Sequence, residues 1–194
     1  MIAIIDYDAG NVKSVQNALK KLGFEAVITS NIETIKNAEK VIFPGVGEAS
    51  SAMKKLQERG LDTIIPNLKQ PVLGICLGMQ LMCNASEEGN TKALGIFDCE
   101  VKLFPNSDIV PHMGWNNVSE MKGKLLENIS ETDNFYFVHS YYAEVGESTT
   151  SVCDYITPFS ATLEKDNFYA AQFHPEKSGD AGFKLLENFL NLRF

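Results

Sequence analysis

Short apolar runs alternate with amphipathic stretches through the first half of the chain. Residues 2–5 form an unbroken apolar run, followed by a polar turn over 6–11. Val12, Val15, Leu19 and Leu22 then recur at helical spacing, and Gly23 is a stop signal. Residues 26–28 and 41–43 read as a second and a third strand, the latter running into Pro44-Gly45-Val46-Gly47. A helix is predicted over 48–59, ending near Gly60, and residues 72–75 are a fourth strand. Short apolar strands alternating with helices predict a parallel sheet covered on both faces. The second half is richer in strand patterns, at 99–104, 135–138, 141–145, 151–155, 160–164 and 168–173. Their spacing predicts antiparallel pieces added to the parallel core. A last helix is expected over 179–192, with Ser178 as its cap and Phe183, Leu186, Phe189 and Leu190 as its apolar face. The fold class is therefore α/β, a mainly parallel central sheet flanked by helices, with an antiparallel strand region in the second half.

Bulk composition narrows the function. A chain of 194 residues is most simply one domain, 1–194, and buries roughly 70% of its unfolded surface. It is 44% hydrophobic and 22% charged, as soluble globular proteins are. The net charge of −8 argues against a protein that works on nucleic-acid backbones. No apolar stretch approaches the ~20 residues a membrane span needs. The opening residues lack a basic lead and are too short a run for a signal sequence. Of the cysteines, Cys76, Cys83, Cys99 and Cys153, none forms a C-x-x-C pair, so no metal site is expected. Reduced thiols and a cytoplasmic location are the expectation.

The candidate chemistry starts at Cys76, which lies between two glycines at the end of an apolar run, in Gly74-Ile75-Cys76-Leu77-Gly78-Met79-Gln80. Gly-x-Cys-x-Gly is the thiol form of the nucleophile elbow, a sharp turn from a buried strand into a helix. The glycines leave room for a tight backbone and for a substrate near the sulfur. The N-terminus of the following helix favours thiolate. A cysteine in an apolar run is more often inert packing, and Cys83, Cys99 and Cys153 are assigned to packing. Late in the chain comes His174-Pro175-Glu176. In an extended segment positions i and i+2 share a face, so the carboxylate can orient the imidazole. The alternative is an exposed turn with an incidental charge. Beside Cys76, the catalytic reading is preferred: nucleophile, base and orienting acid. Gly45, Val46 and Gly47 are either a plain turn or a source of a backbone N–H for an oxyanion, the second donor being the N–H of Leu77.

The Pro-Gly-Val-Gly segment, the elbow, and Phe173-His174-Pro175-Glu176-Lys177-Ser178 together resemble class I (triad-type) glutamine amidotransferases. Residues 6–15, Pro111-His112-Met113-Gly114-Trp115-Asn116 and residues 136–142 resemble, more narrowly, the glutaminase subunits of imidazole glycerol phosphate synthases. The resemblance spans essentially the whole chain and implies a flavodoxin-like sandwich. It implies that Cys76 attacks the side-chain amide of glutamine, that His174 protonates the leaving ammonia and later activates water, and that Glu176 orients His174. Gln80 would contact the glutamine. Gly47 and its peptide to Val46 would lie in an oxyanion strand that must flip, leaving the enzyme quiet until a partner binds. That partner would be a cyclase subunit with a (β/α)₈ barrel, fed ammonia across a sealed interface in a heterodimer. Asn11, Met113, Trp115, Tyr136 and Lys177 are the interface candidates, although Met113 and Trp115 could equally form a strand face in the core. No cofactor is implied.

Other classes stay open at this stage. A paralogous subunit would feed ammonia to another synthase, such as one for cell-surface sugars. A same-fold cysteine hydrolase would act on peptides without a helper. A non-catalytic binding module would leave Cys76 unreactive toward glutamine-like electrophiles.

Overall fold

The computed structural model describes residues 1–193. Strands β1 (Ile2–Ile5), β2 (Ala26–Thr29), β3 (Lys40–Gly45) and β4 (Val72–Cys76) alternate with helices α1 (Val12–Lys21), α2 (Ile32–Lys36), α3 (Ala49–Glu58) and α4 (Leu61–Ile64). Helix α5 (Leu77–Leu81) leaves β4 directly. Short strands β5 (Ala85–Ser86), β6 (Thr91–Lys92) and β7 (Glu100–Leu103) follow, then β8 (His112–Asn116), β9 (Phe135–His139) and β10 (Tyr141–Ala143). Strands β11 (Thr149–Tyr155), β12 (Thr157–Lys165) and β13 (Phe168–Ala171) precede the last helix, α6 (Gly179–Leu190).

The central sheet has the order β11-β12-β13-β4-β3-β1-β2. Strands β2, β1, β3, β4 and β13 are parallel; β12 and β11 join antiparallel at one edge. The expected α/β architecture is what the chain adopts. A second sheet, β10-β7-β5-β6, and the antiparallel pair β8–β9 sit beside it.

Alternation along β1 shows why both faces are covered. Ile2 and Ile4 point into one core with Val15 and Leu19 of α1 and Leu186 and Phe189 of α6. Ala3 and Ile5 point into the other, with Met53 and Leu56 of α3. A parallel strand buried on both sides reads as continuous apolar sequence, because each successive side chain serves the opposite core.

Three local expectations change. Helix α6 stops at Leu190, and Leu185 joins its buried face while Phe183 is only half-buried. The Ser178 side chain does not cap it. Its hydroxyl donates to the His174 carbonyl (2.6 Å) and accepts from the Tyr136 amide (2.9 Å). Pro175–Lys177 is a single 3₁₀ turn instead of an extended segment. Proline fixes φ near the helical value, which tightens the chain there. Among the described residues, no helix is long and apolar enough to cross a membrane.

Candidate active site

Parallel register brings three strand ends together. Gly45 of β3 pairs with Cys76 of β4, and Ala171 of β13 pairs with Ile75. The Pro-Gly-Val-Gly segment, the cysteine and the His-Pro-Glu segment therefore emerge side by side at the carboxyl edge, where open α/β sheets bind ligands. A cavity of about 340 Å³ opens there, lined by Cys76, His174, Val46, Gly47, Leu77 and Gln80 among others. That volume lies at the small end of the range for small-molecule sites.

Cys76 turns from strand to helix with φ 54° and ψ −112°. No ordinary helix or strand residue adopts these angles. The following helix can pass so close to β3 only because Gly78 has no side chain: a Cβ there would strike the Phe43 carbonyl. The elbow glycines thus serve backbone packing. Neither they nor Gly45, which packs on the Tyr7 hydroxyl and the Gly78 amide, lines the cavity.

His174 is 2% exposed and Cys76 is 7% exposed. His174 Nδ1 lies 2.8 Å from Glu176 Oε1, brought there by the 3₁₀ turn. Since Nδ1 faces the carboxylate, Nε2 is the nitrogen left for the sulfur. Burial pulls the imidazole down, but the Cys76 sulfur and then the Glu176 carboxylate outweigh it and push it up to about 10. The backbone that carries the ring is tied to β9, because the His174 amide donates to the Tyr136 carbonyl at 3.0 Å. The sulfur also meets the Gln172 amide nitrogen at 3.8 Å and the Val138 carbonyl at 3.9 Å.

The other predicted residues divide. Val46 and Gly47 line the cavity, but the Val46 N–H donates to the Ala9 carbonyl at 2.8 Å. Gln80 is 4% exposed, and its amide nitrogen donates to the Tyr141 carbonyl and to Gln172 Oε1, both at 2.9 Å. Met113 and Trp115 are 63% and 59% exposed, so the core alternative for them does not hold. They share the outer face of the β8–β9 pair with Tyr136, which lies opposite Trp115 with ring centroids 5.9 Å apart. Lys177 is exposed on the turn beside β9, and α1, which Asn11 precedes, packs against that same turn. Met113, Trp115 and Tyr136 thus share one face, and the turn carrying Lys177 touches both β9 and α1.

Sequence reasoning passed over Glu88, His139, Ser140 and Tyr141, all of which line the cavity. Glu88 Oε2 accepts from the Ala49 amide at 2.9 Å, and burial first, then Glu48, raises its carboxyl against that bond. The pair Glu87-Glu88, eleven and twelve residues past Cys76, was the available signal. Among the described residues, no group of three or more His, Cys, Asp or Glu side chains is placed to hold a metal ion.

The family model described as "Glutamine amidotransferase class-I" matches residues 3–192. Over 194 residues the chain is 59% identical to the imidazole glycerol phosphate synthase subunit HisH of Bacteroides fragilis (strain YCH46), covering 98% of this chain and 99% of that one. It is 46% identical to the subunit of the same name from Vibrio parahaemolyticus serotype O3:K6 (strain RIMD 2210633), covering 98% of each. A crystal structure of a glutamine amidotransferase superposes with a TM-score of 0.75 at 20% identity, over 98% of this chain and 97% of that one. The structure of PurLQS from Thermotoga maritima gives 0.73 at 16%, over 98% and 97%. These two similarities concern the fold.

Proposed function

Because this chain belongs to the class-I glutamine amidotransferase family, we propose that it is the glutaminase subunit of an imidazole glycerol phosphate synthase, delivering ammonia to a barrel-type cyclase subunit for histidine biosynthesis. The observation that carries the reading is the meeting of Cys76 with the His174–Glu176 pair in one small cavity at the sheet's carboxyl edge.

The Cys76 sulfur, its proton passed to His174, attacks the side-chain carboxamide carbon of glutamine. The carbonyl becomes an oxyanion. Collapse of that intermediate breaks the C–N bond, and the His174 imidazolium protonates the departing nitrogen, which leaves as ammonia. A glutamyl thioester remains. His174, neutral again, takes a proton from water; the hydroxide attacks the thioester, and glutamate leaves as sulfur is released. Glu176 holds the ring in the tautomer these steps need. Glu88 is the carboxylate lining the cavity, and it suits the α-ammonium of the substrate.

For the oxyanion, the Leu77 N–H follows the nucleophile directly. The neighbouring strand is not set for its share, since the Val46 amide is bonded to Ala9. Gly45, which lacks a Cβ, gives the Gly45–Val46 peptide that carries this N–H the freedom to turn. A partner that turns it switches the glutaminase on. Asn11, Met113, Trp115, Tyr136 and Lys177 form the face for that partner. A closed contact suits the chemistry, because ammonia that escapes into water becomes non-nucleophilic ammonium.

The test is reconstitution with candidate barrel subunits. Cys76→Ala should lose glutamine-driven turnover while ammonia-driven turnover by the complex persists. Persistent glutamine-driven turnover in that variant rules out the assigned nucleophile.

A further inference from the structure

From β8 to the wall of the cavity runs a line of mostly buried polar groups that the triad does not use. It starts on β8, whose outer face carries Met113 and Trp115 and whose other face carries His112 and Asn116. His112 and His139 are 4% and 6% exposed. Nδ1 of His112 lies 3.0 Å from Nε2 of His139, and Nδ1 of His139 lies 2.7 Å from the Tyr141 carbonyl oxygen. That carbonyl also accepts from Gln80 Nε2 at 2.9 Å. Gln80 Nε2 donates again to Gln172 Oε1 at 2.9 Å, and Gln172 Nε2 donates to the Cys76 sulfur at 3.8 Å. At the other end Asn116 Nδ2 lies 3.4 Å from His112 Nε2 and 3.5 Å from the Asp154 carbonyl.

One arrangement of protons satisfies all of these contacts with neutral rings. A carbonyl only accepts, so His139 carries its proton on Nδ1 and leaves a lone pair on Nε2. His112 must then carry its proton on Nδ1, which leaves its Nε2 to accept from Asn116. The Asp154 carbonyl turns the Asn116 amide the same way. Neutral rings agree with their surroundings: His112 is stacked on Phe137 and Tyr155, with centroids at 4.8 and 4.1 Å, and burial pulls it down to about 4. Burial likewise pulls His139 down to about 3, against its bond to Tyr141 and with the fields of His112 and His174 adding to the effect.

We propose that His112 and His139 are positioning residues for the glutaminase reaction: as imidazoles of fixed tautomer they hold the Tyr141 carbonyl, and through Gln80 they aim the Gln172 amide at the Cys76 sulfur. The inference rests on the glutaminase reading of the site. It places the far end of the line on the strand that presents Trp115 to a partner.

The test uses the complex with only this subunit labelled. Imidazole ¹⁵N spectra should show both rings neutral and protonated on Nδ1. Asn116→Asp puts an acceptor where His112 needs a donor, so His112 must gain a proton on Nε2, either becoming a cation or releasing His139. Its signature should change. Alkylation of Cys76 by iodoacetamide should slow about tenfold or more, and kcat should fall with it. KM for glutamine should stay within about twofold. His139→Gln keeps a donor and an acceptor and should recover most of what His139→Leu loses; that pair decides the matter if Asn116→Asp does not fold. Nε2-protonated rings, or a folded Asn116→Asp with alkylation and kcat within about twofold of wild type, overturn the proposal. If the wild-type complex does not hydrolyse glutamine, the glutaminase reading fails instead, while the spectra and the iodoacetamide rates still decide the line of hydrogen bonds.

Discussion

His174 and Glu176 are two residues apart in sequence and one hydrogen bond apart in space. Glu176 is also a strained choice for a buried site, because its Oε2 is buried without a hydrogen-bond partner. A carboxylate is tolerated there because the imidazolium beside it balances its charge. The raised His174 ring has a consequence for stability. Its ordinary value is 6.5 and its folded value is about 10, so the folded chain holds the proton more tightly than the unfolded one. That stabilisation is complete below 6.5 and is lost as pH rises through about 10. Glu176→Gln removes one of the two groups that raise the ring. Urea melts across this window should therefore show the wild type losing more stability than Glu176→Gln as pH rises. An equal loss in both contradicts the coupling. In the complex, kcat of the variant should fall by about a hundredfold or more, because the ring loses its orienting partner.

At the scale of elements, the strand-to-helix turn at β4–α5 is where packing is tightest. Gly78 brings the backbone of α5 against the backbone of β3, and the Phe43 carbonyl has no flexible side chain with which to give way. Gly78→Ala should therefore destabilise the chain by about 1–3 kcal/mol or more, read by denaturant melts, although alanine is the better helix former. A neutral effect would mean that α5 sits further from β3. The same elements show what sequence made legible. β1, β3 and β4 announce themselves as apolar runs because both faces are buried, and α1 and α3 because one face of each is. The strand face that Met113 and Trp115 could form in β8 turns out, in the structure, to be the exposed one, because the alternation is unconventional: histidine lies inside while methionine and tryptophan face out. α2 and α4, at five and four residues, are too short to establish a helical period. The joining of Cys76 to His174 was legible only as two separate motifs; parallel register, which no local pattern encodes, supplies their contact.

Across the whole molecule, the cavity and the exposed apolar face of β8–β9 lie on the same side, joined through Val138, which lines the cavity while pairing with Met113. A chain carrying net charge −8 has no solubility reason to expose Met113 and Trp115 together. A large exposed aromatic on the hairpin that also lines the cavity suits the proposed partner, and such residues dominate binding energy at interfaces. Trp115→Ala should therefore weaken association with the proposed partner subunit about tenfold or more, measured by calorimetry. The isolated subunit should keep its thermal stability within about 0.5 kcal/mol, because the ring is already in solvent. Ammonia-driven turnover by the proposed partner subunit should be unaffected once it is saturated, while glutamine-driven turnover should lose coupling as ammonia escapes. A lower melting point for the isolated variant with unchanged association would place the tryptophan among the groups that hold the hairpin and would move the partner's seat elsewhere on the surface.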